Sequence, residues 1–220
     1  ILGKILKRGA IGLAESYIDG DFSTSNLKDL LYFAKQNENY FVNLKHGKWF
    51  NKFIKKINHY FKQNTKSQSL KNISYHYDLG NKFYKLWLDH SMNYSSGFFN
   101  LPKDDLSKAQ LNKYAKIIEP LELNDNSTLL EIGCGWGGFS SYVAKNFGTQ
   151  INAITISKEQ YEYTSKMINK EGLNEKVKVE LKDYRDITGK YDNISSIEMF
   201  EAVGKKYWNL YFEKVKNSLN

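Results

Sequence analysis

The chemistry-bearing stretch of this chain is Leu129-Leu130-Glu131-Ile132-Gly133-Cys134-Gly135-Trp136-Gly137-Gly138. An apolar run ends in an acid, glycines follow at alternate positions, and Phe139 to Phe147 reads as a helix. That order is a strand, a tight turn and a helix start. Glycine permits the sharp turn and lets a ligand press against bare backbone. The turn's N–H groups and the positive helix end favour a carboxylate or phosphate. Glu131, two residues ahead of Gly133, can accept from an ammonium group on the same ligand, a role for which a pyrophosphate has no use. Gly133, Gly135 and Gly138 alone also suit a dinucleotide, and such a turn can serve with no ligand at all. The next apolar run, Ile151 to Ile156, ends in Thr155-Ile156-Ser157-Lys158, with no acid where a nicotinamide enzyme holds its ribose. Cys134 is the single cysteine. With no histidine near it in sequence, it reads as a small filler of tight space rather than a nucleophile.

The frame that must position these residues is predicted as strand 128–133, helix 137–147, strand 151–156, helix 158–170, strand 177–182, strand 192–198 and a helix over 205–218. Alternating strands and helices imply an α/β fold, a doubly wound parallel sheet with helices on both faces. Ser107 to Ile118 predicts a further helix, closed by Pro120. A fold of this class normally carries more than these strands, and the chain stops at Asn220. The expectation is a fragment truncated on its C-terminal side, and hence inactive by itself.

At 220 residues and 41% hydrophobic, the chain can bury a sizeable core in one domain or one and a half. Its sixteen tyrosines, thirteen phenylalanines and four tryptophans suit an apolar pocket and a core equally well. A formal charge of +8 points to an anionic partner, membrane lipid or nucleic acid. One cysteine excludes an internal disulfide and fits a cytoplasmic setting. No apolar run is long enough to span a bilayer and no signal peptide is visible. The chain opens on Ile1, so its true start is expected upstream. No residue is assigned to a metal, and a homodimer is left open.

Residues 1 to 38 alternate short apolar patches with polar turns. Gly12 to Asp21 reads as a short element and turn, and Ser25 to Gln36 as a helix capped by Ser25 or Asn26. From Gly47 to Phe61, Trp49, Phe50, Phe53, Ile54, Ile57, Tyr60 and Phe61 fall at helical spacing, with lysines on the remaining face. Such a helix can lie on an anionic membrane, peripherally, where each lysine contributes about 1 kcal/mol. It can equally pack on its own protein with its lysines in solvent. Its aromatics share one face instead of interleaving as stacking platforms, which argues against nucleic acid. The polar run 63–72 reads as a linker, and the catalytic domain is expected over 73–220.

With Gly137, the glycine turn resembles motif I of the class I S-adenosylmethionine (SAM) methyltransferases. Further stretches are similar, in order and spacing, to the cyclopropane-fatty-acyl-phospholipid synthase family, which includes the mycolic acid cyclopropane synthases. They are His76-Tyr77-Asp78-Leu79-Gly80-Asn81, Tyr94-Ser95-Ser96-Gly97, Thr155 to Gln160, Asp183-Tyr184-Arg185-Asp186 and Met199-Phe200-Glu201-Ala202-Val203-Gly204. The match covers about residues 73 to 212. Gly12 to Asp21 looks like the family's N-terminal lipid-binding domain, which makes residues 1–62 its remnant plus the basic helix.

The resemblance implies a Rossmann-like fold, SAM as cofactor and membrane phospholipid acyl chains as substrate, at the inner face of the membrane. It implies that Glu131, Gly133, Cys134, Gly135, Trp136 and Gly137 cradle SAM, with Tyr94 and Ser95 beside the turn. Thr155 and Gln160 would reach the ribose, Gln160 replacing the missing acid, with Ser157 also on the cofactor, and Asp183 and Tyr184 would border the adenine. The family's reaction carries a methyl to a cis double bond and leaves a carbocation, which Tyr77, Tyr94, Phe98, Phe99 and Phe200 are candidates to steady. A bicarbonate is the implied base, gripped by Glu201 and by backbone at Ser96. Three positions depart from the pattern: Ser96 replaces a cysteine, Ala202 a histidine, and Glu198 adds a carboxylate where many relatives have glycine. The last two bear on whether the product is a cyclopropane or a methyl branch, and a methyltransferase of the same fold acting on a soluble small molecule is the nearest rival.

Overall fold

A computed structural model of the chain describes residues 1–37, 66 and 80–220. The predicted basic helix, Tyr77 and the linker apart from Lys66 lie outside the described residues. The chain divides into two compact units, 1–62 and 63–220.

In the first unit, α1 (Leu2–Arg8) and α2 (Ala10–Ile18) are helices where the sequence suggested only short patches. Gly9, at φ 61°, hinges them. Gly12 then lets α2 pack on α1, since a Cβ there would stand 2.1 Å from the Lys4 carbonyl oxygen. That contact is tertiary, so periodicity alone does not reveal it. Lys4 Nζ closes the pair onto Asp19 and Asp21 at 2.8 and 2.7 Å. The predicted helix over 25–36 is α3 (Leu27–Gln36), and of the two proposed caps Asn26 serves, accepting from Asp29 N.

The second unit contains α4 (Gly80–Tyr84), α5 (Leu106–Ile118), β1 (Thr128–Ile132), α6 (Gly138–Asn146), β2 (Gln150–Thr155), α7 (Lys158–Lys170), β3 (Val177–Leu181), β4 (Asn193–Ser195) and α8 (Trp208–Ser218). The strands pair in parallel in the order β3-β2-β1-β4. Growth of the sheet therefore runs outward from β1 to β3 and then returns to the other side of β1. Open sheets bind ligands at that reversal, beyond the carboxyl ends of the strands.

Alternation along β1 divides the core. Leu129 faces a cluster with Val143, Ile151, Ala153, Ile168 and Val177, whereas Leu130 and Ile132 join Ile154, Ile187, Val203 and Tyr211 on the opposite face. The α/β expectation holds, and helices α5 to α8 lie close to the predicted spans. The strand predicted over 192–198 does not: β4 stops at Ser195, and Glu198 sits at φ 49°, outside any strand conformation.

Candidate active site

Glycine at two positions in the turn after β1 is imposed by both conformation and space. Gly133 and Gly137 each have φ 82°, where a side chain is strained. A Cβ on Gly133 would stand 2.7 Å from Met199 Cγ, and one on Gly137 2.4 Å from Thr164 Cγ2. The turn thus holds α6 against both α7 and the segment after β4. Trp136 is buried, donating Nε1–H to Asn81 Oδ1 at 2.6 Å and packing 4.9 Å from the ring of Tyr84. The end of the predicted 76–81 motif is in this way fastened to the glycine turn.

Glu131 is 3% exposed at the end of β1, where Ser140 Oγ donates to it. Burial raises its pKa to about 7, against the opposing hydrogen bonds from Ser140. Such an acid gains most from a cation brought by a ligand. Cys134 is buried in the turn, and burial pushes its thiol well above the usual range, which removes it as a nucleophile.

Glu131 and the turn open into a cavity of about 850 Å³ that also takes in Tyr94, Ser95, Ser96, Thr155, Gln160, Asp183, Tyr184 and Glu201. Sequence positions as far apart as Tyr94 and Glu201, 107 residues, are thus brought to one place. Ser157 caps α7, accepting from Gln160 N at 3.3 Å and donating its own N–H to Thr155 Oγ1 at 3.1 Å. Thr155 Oγ1 in turn donates to Gln160 Oε1 at 2.8 Å. These two residues orient Gln160, which is buried rather than on the helix surface. Asp183 accepts from Arg185 N, Nε and Nη2 at 2.9, 2.8 and 2.6 Å, so its carboxylate is anchored within the wall.

Three aromatic candidates are corrected. Phe98 and Phe99 do not line the cavity, and Phe200 packs into a ring cluster with Trp208, Tyr211 and Phe212 at 5.3, 5.2 and 5.1 Å. Tyr94 does line it, at 5.5 Å from Trp87, a second lining aromatic that the sequence left without a role. Helix α5 supplies two more residues missed in the sequence. Gln110 Nε2 donates to the Ser95 carbonyl at 2.8 Å, and Lys113 Nζ to Ser95 Oγ at 2.7 Å. Burial lowers the Lys113 ammonium to about 8, against the pull of Glu198 and Asp89. No spacing rule links α5 to a loop more than ten residues upstream.

Residues 63–220 match the family model described as mycolic acid cyclopropane synthetase. The chain belongs to this family. A cyclopropane-fatty-acyl-phospholipid synthase of Escherichia coli is 34% identical over 228 residues, covering 98% of this chain and 55% of that protein. The tuberculostearic acid methyltransferase UfaA1 of Mycobacterium tuberculosis is 31% identical over 216 residues, covering 95% and 50%. The chain therefore spans about half the length of the curated relatives it matches. Among solved structures, mycolic acid cyclopropane synthase CmaA1, complexed with SAH and CTAB, superposes with a TM-score of 0.66 at 27% identity, over 69% of this chain and 53% of that one. The class I methyltransferase fold of the cyclopropane synthetase family is thus the fold of this chain.

Of the two groups the family implies, SAM fits the residues present. The buried Glu131, the open backbone of the turn and the cavity beside them suit an amino acid joined to a nucleoside. Bicarbonate does not fit at Ser96. The donors it would need, Ser96 N and Oγ, both point at Glu198 Oε1, at 3.0 and 2.6 Å. Glu201, the other implied grip, lines the cavity but is exposed, with no hydrogen bond or ion pair among the described residues.

Proposed function

We propose that the protein is a SAM-dependent methyltransferase that adds one carbon to the cis double bond of an unsaturated phospholipid acyl chain, forming a cyclopropane. The observation that carries this reading is the buried Glu131 and its glycine turn opening directly into a cavity with apolar and aromatic walls. The family, and the similarity to the cyclopropane-fatty-acyl-phospholipid synthase of Escherichia coli, support it. The protein works peripherally at the inner face of the membrane, where its +8 charge and the lysine-rich stretch 45–71 meet anionic lipid.

SAM supplies an electrophilic methyl group. Glu131 would hold the ligand's ammonium, and turn N–H groups other than those of Gly133, Cys134 and Gly137, which donate to backbone carbonyls, would take its carboxylate. Gln160, fixed by Thr155, serves the ribose, and Tyr184 borders the adenine beside the anchored Asp183. An isolated alkene is a weak nucleophile, so it must be held in near-attack geometry away from water. Leu88, Met92, Trp87 and Tyr94 give a wall for that purpose. The ring faces of Trp87 and Tyr94 steady positive charge on the acyl chain by roughly 0.5 to 2 kcal/mol each.

A methyl-branched product is the second reading, favoured by the extra carboxylate of Glu198 and by the relative that carries the name tuberculostearic acid methyltransferase. Full-length protein incubated with methyl-labelled SAM and unsaturated phospholipid vesicles tests both. Label in the lipid, with a gain of CH₂ and loss of the double bond, is the expected result. A gain of CH₃ and H means the branch, and unlabelled lipid refutes both readings.

A further inference from the structure

Glu198 is held in place by more than its position in the chain. Its Oε1 accepts from Ser96 N at 3.0 Å and Ser96 Oγ at 2.6 Å, a contact between residues 102 apart. Ser96 belongs to the 94–97 loop, which α5 fixes from behind through Gln110 and Lys113 on Ser95. The backbone of Glu198 is left-handed, at φ 49°, which a residue with a side chain adopts at about 1 kcal/mol or more. That conformation turns its carboxylate to the cavity that Glu131 and the glycine turn also line. Glu198 is exposed at the pocket wall, but unlike Glu201 it is held there by two Ser96 donors and a left-handed backbone.

Its charge state is favourable as well. Partial burial would raise the Glu198 pKa, yet hydrogen bonds from Ser96 and Ser95 and the nearby Lys113 charge outweigh it and hold the carboxyl below the usual range. The pocket therefore contains an ionised oxygen base of its own, at the donors that an exogenous anion would otherwise occupy.

We propose that Glu198 is the proton acceptor of the reaction and replaces bicarbonate. This rests on the alkene-methylating function proposed above. After transfer, a C–H bond of the new methyl breaks. Its electron pair closes the last carbon–carbon bond onto the cationic carbon, and the proton passes to a Glu198 carboxylate oxygen. The cation is quenched, the carboxylate becomes a carboxylic acid, and solvent at the pocket mouth later removes the proton. No oxidant or reductant enters. Lys113, through Ser95, is a positioning residue that keeps Glu198 ionised and aimed.

The test compares full-length wild type, Glu198→Gln and Glu198→Gly in bicarbonate-free and bicarbonate-supplemented buffer, with SAM affinity measured to verify folding. Glycine tolerates the local backbone, so the second variant keeps the fold. Wild type is expected to turn over equally in both buffers. Glu198→Gln should lose at least about a hundredfold with SAM affinity unchanged, as expected for loss of a general base. Glu198→Gly should be as slow without bicarbonate and recover about tenfold or more with it. A wild-type rate that needs bicarbonate, or a Glu198→Gln enzyme at full rate, would overturn the assignment. Should wild type label no lipid in either buffer, the proposed function falls instead. Binding of isotope-labelled bicarbonate then decides this inference alone: binding by Glu198→Gly and not by wild type supports it, and any other pattern overturns it.

Discussion

A carboxyl group sealed at the end of a buried strand disfavours its own ionisation, and Glu131 shows the effect with a pKa near 7 against the usual 4.5. The folded protein keeps that proton to higher pH than the unfolded chain does. Its contribution to stability is therefore complete below about 4.5 and lost as pH rises through 7, a difference of about 3 kcal/mol. An arriving ammonium reverses the preference, since it pairs only with the ionised form. Affinity for SAM should thus rise about tenfold per pH unit up to 7, and fall again above about 8, where an α-amino group deprotonates. Glu131→Gln should flatten the rising limb and weaken binding by roughly 1.5 to 3 kcal/mol. Calorimetric titration on either side of pH 7 reads both effects, and a pH-independent wild type would exclude Glu131 as the ammonium partner. Glu131 was legible in the sequence because acid and glycines are local neighbours. Glu198 stood out in the sequence as an added carboxylate, but its bond to Ser96, 102 positions away, did not, and Lys113 gave no signal because its partner Ser95 lies 18 positions away across the fold.

Elements whose signals are local were also readable: the apolar runs of β1 to β3, and α7 beginning at its Ser157 cap. Strand β4 was overextended because Ile197 continues an apolar pattern that the left-handed turn at Glu198 then breaks. The turn after β1 has the opposite property, in that sequence and structure demand the same residue. Gly137→Ala should abolish measurable SAM binding and lower stability by about 2 kcal/mol or more, combining left-handed strain with a 2.4 Å approach to Thr164 Cγ2. Gly172→Ala is its control. Gly172 has φ 68° but open space around the missing Cβ, so about 1 kcal/mol of stability should be lost with SAM affinity intact. Thermal unfolding combined with SAM titration separates the two. Equal behaviour of the variants would mean that backbone strain alone, and not the packing of α6 on α7, sets the geometry of the turn.

At the scale of the whole molecule, the charge pointed to an anionic partner, membrane lipid or nucleic acid alike, and the family motifs are what favour lipid. Among the described residues no helix is long and apolar enough to cross a membrane. On the proposed function, acyl chains are drawn from the bilayer into the cavity, and substrate, cation and base all depend on the identity of the cofactor. Calorimetric titration of the full-length protein with SAM and, separately, with a nicotinamide dinucleotide tests that identity most directly. SAM as the cofactor predicts one-to-one heat with SAM that Glu131→Gln diminishes, and none with the dinucleotide. Heat with the dinucleotide and none with SAM would contradict it.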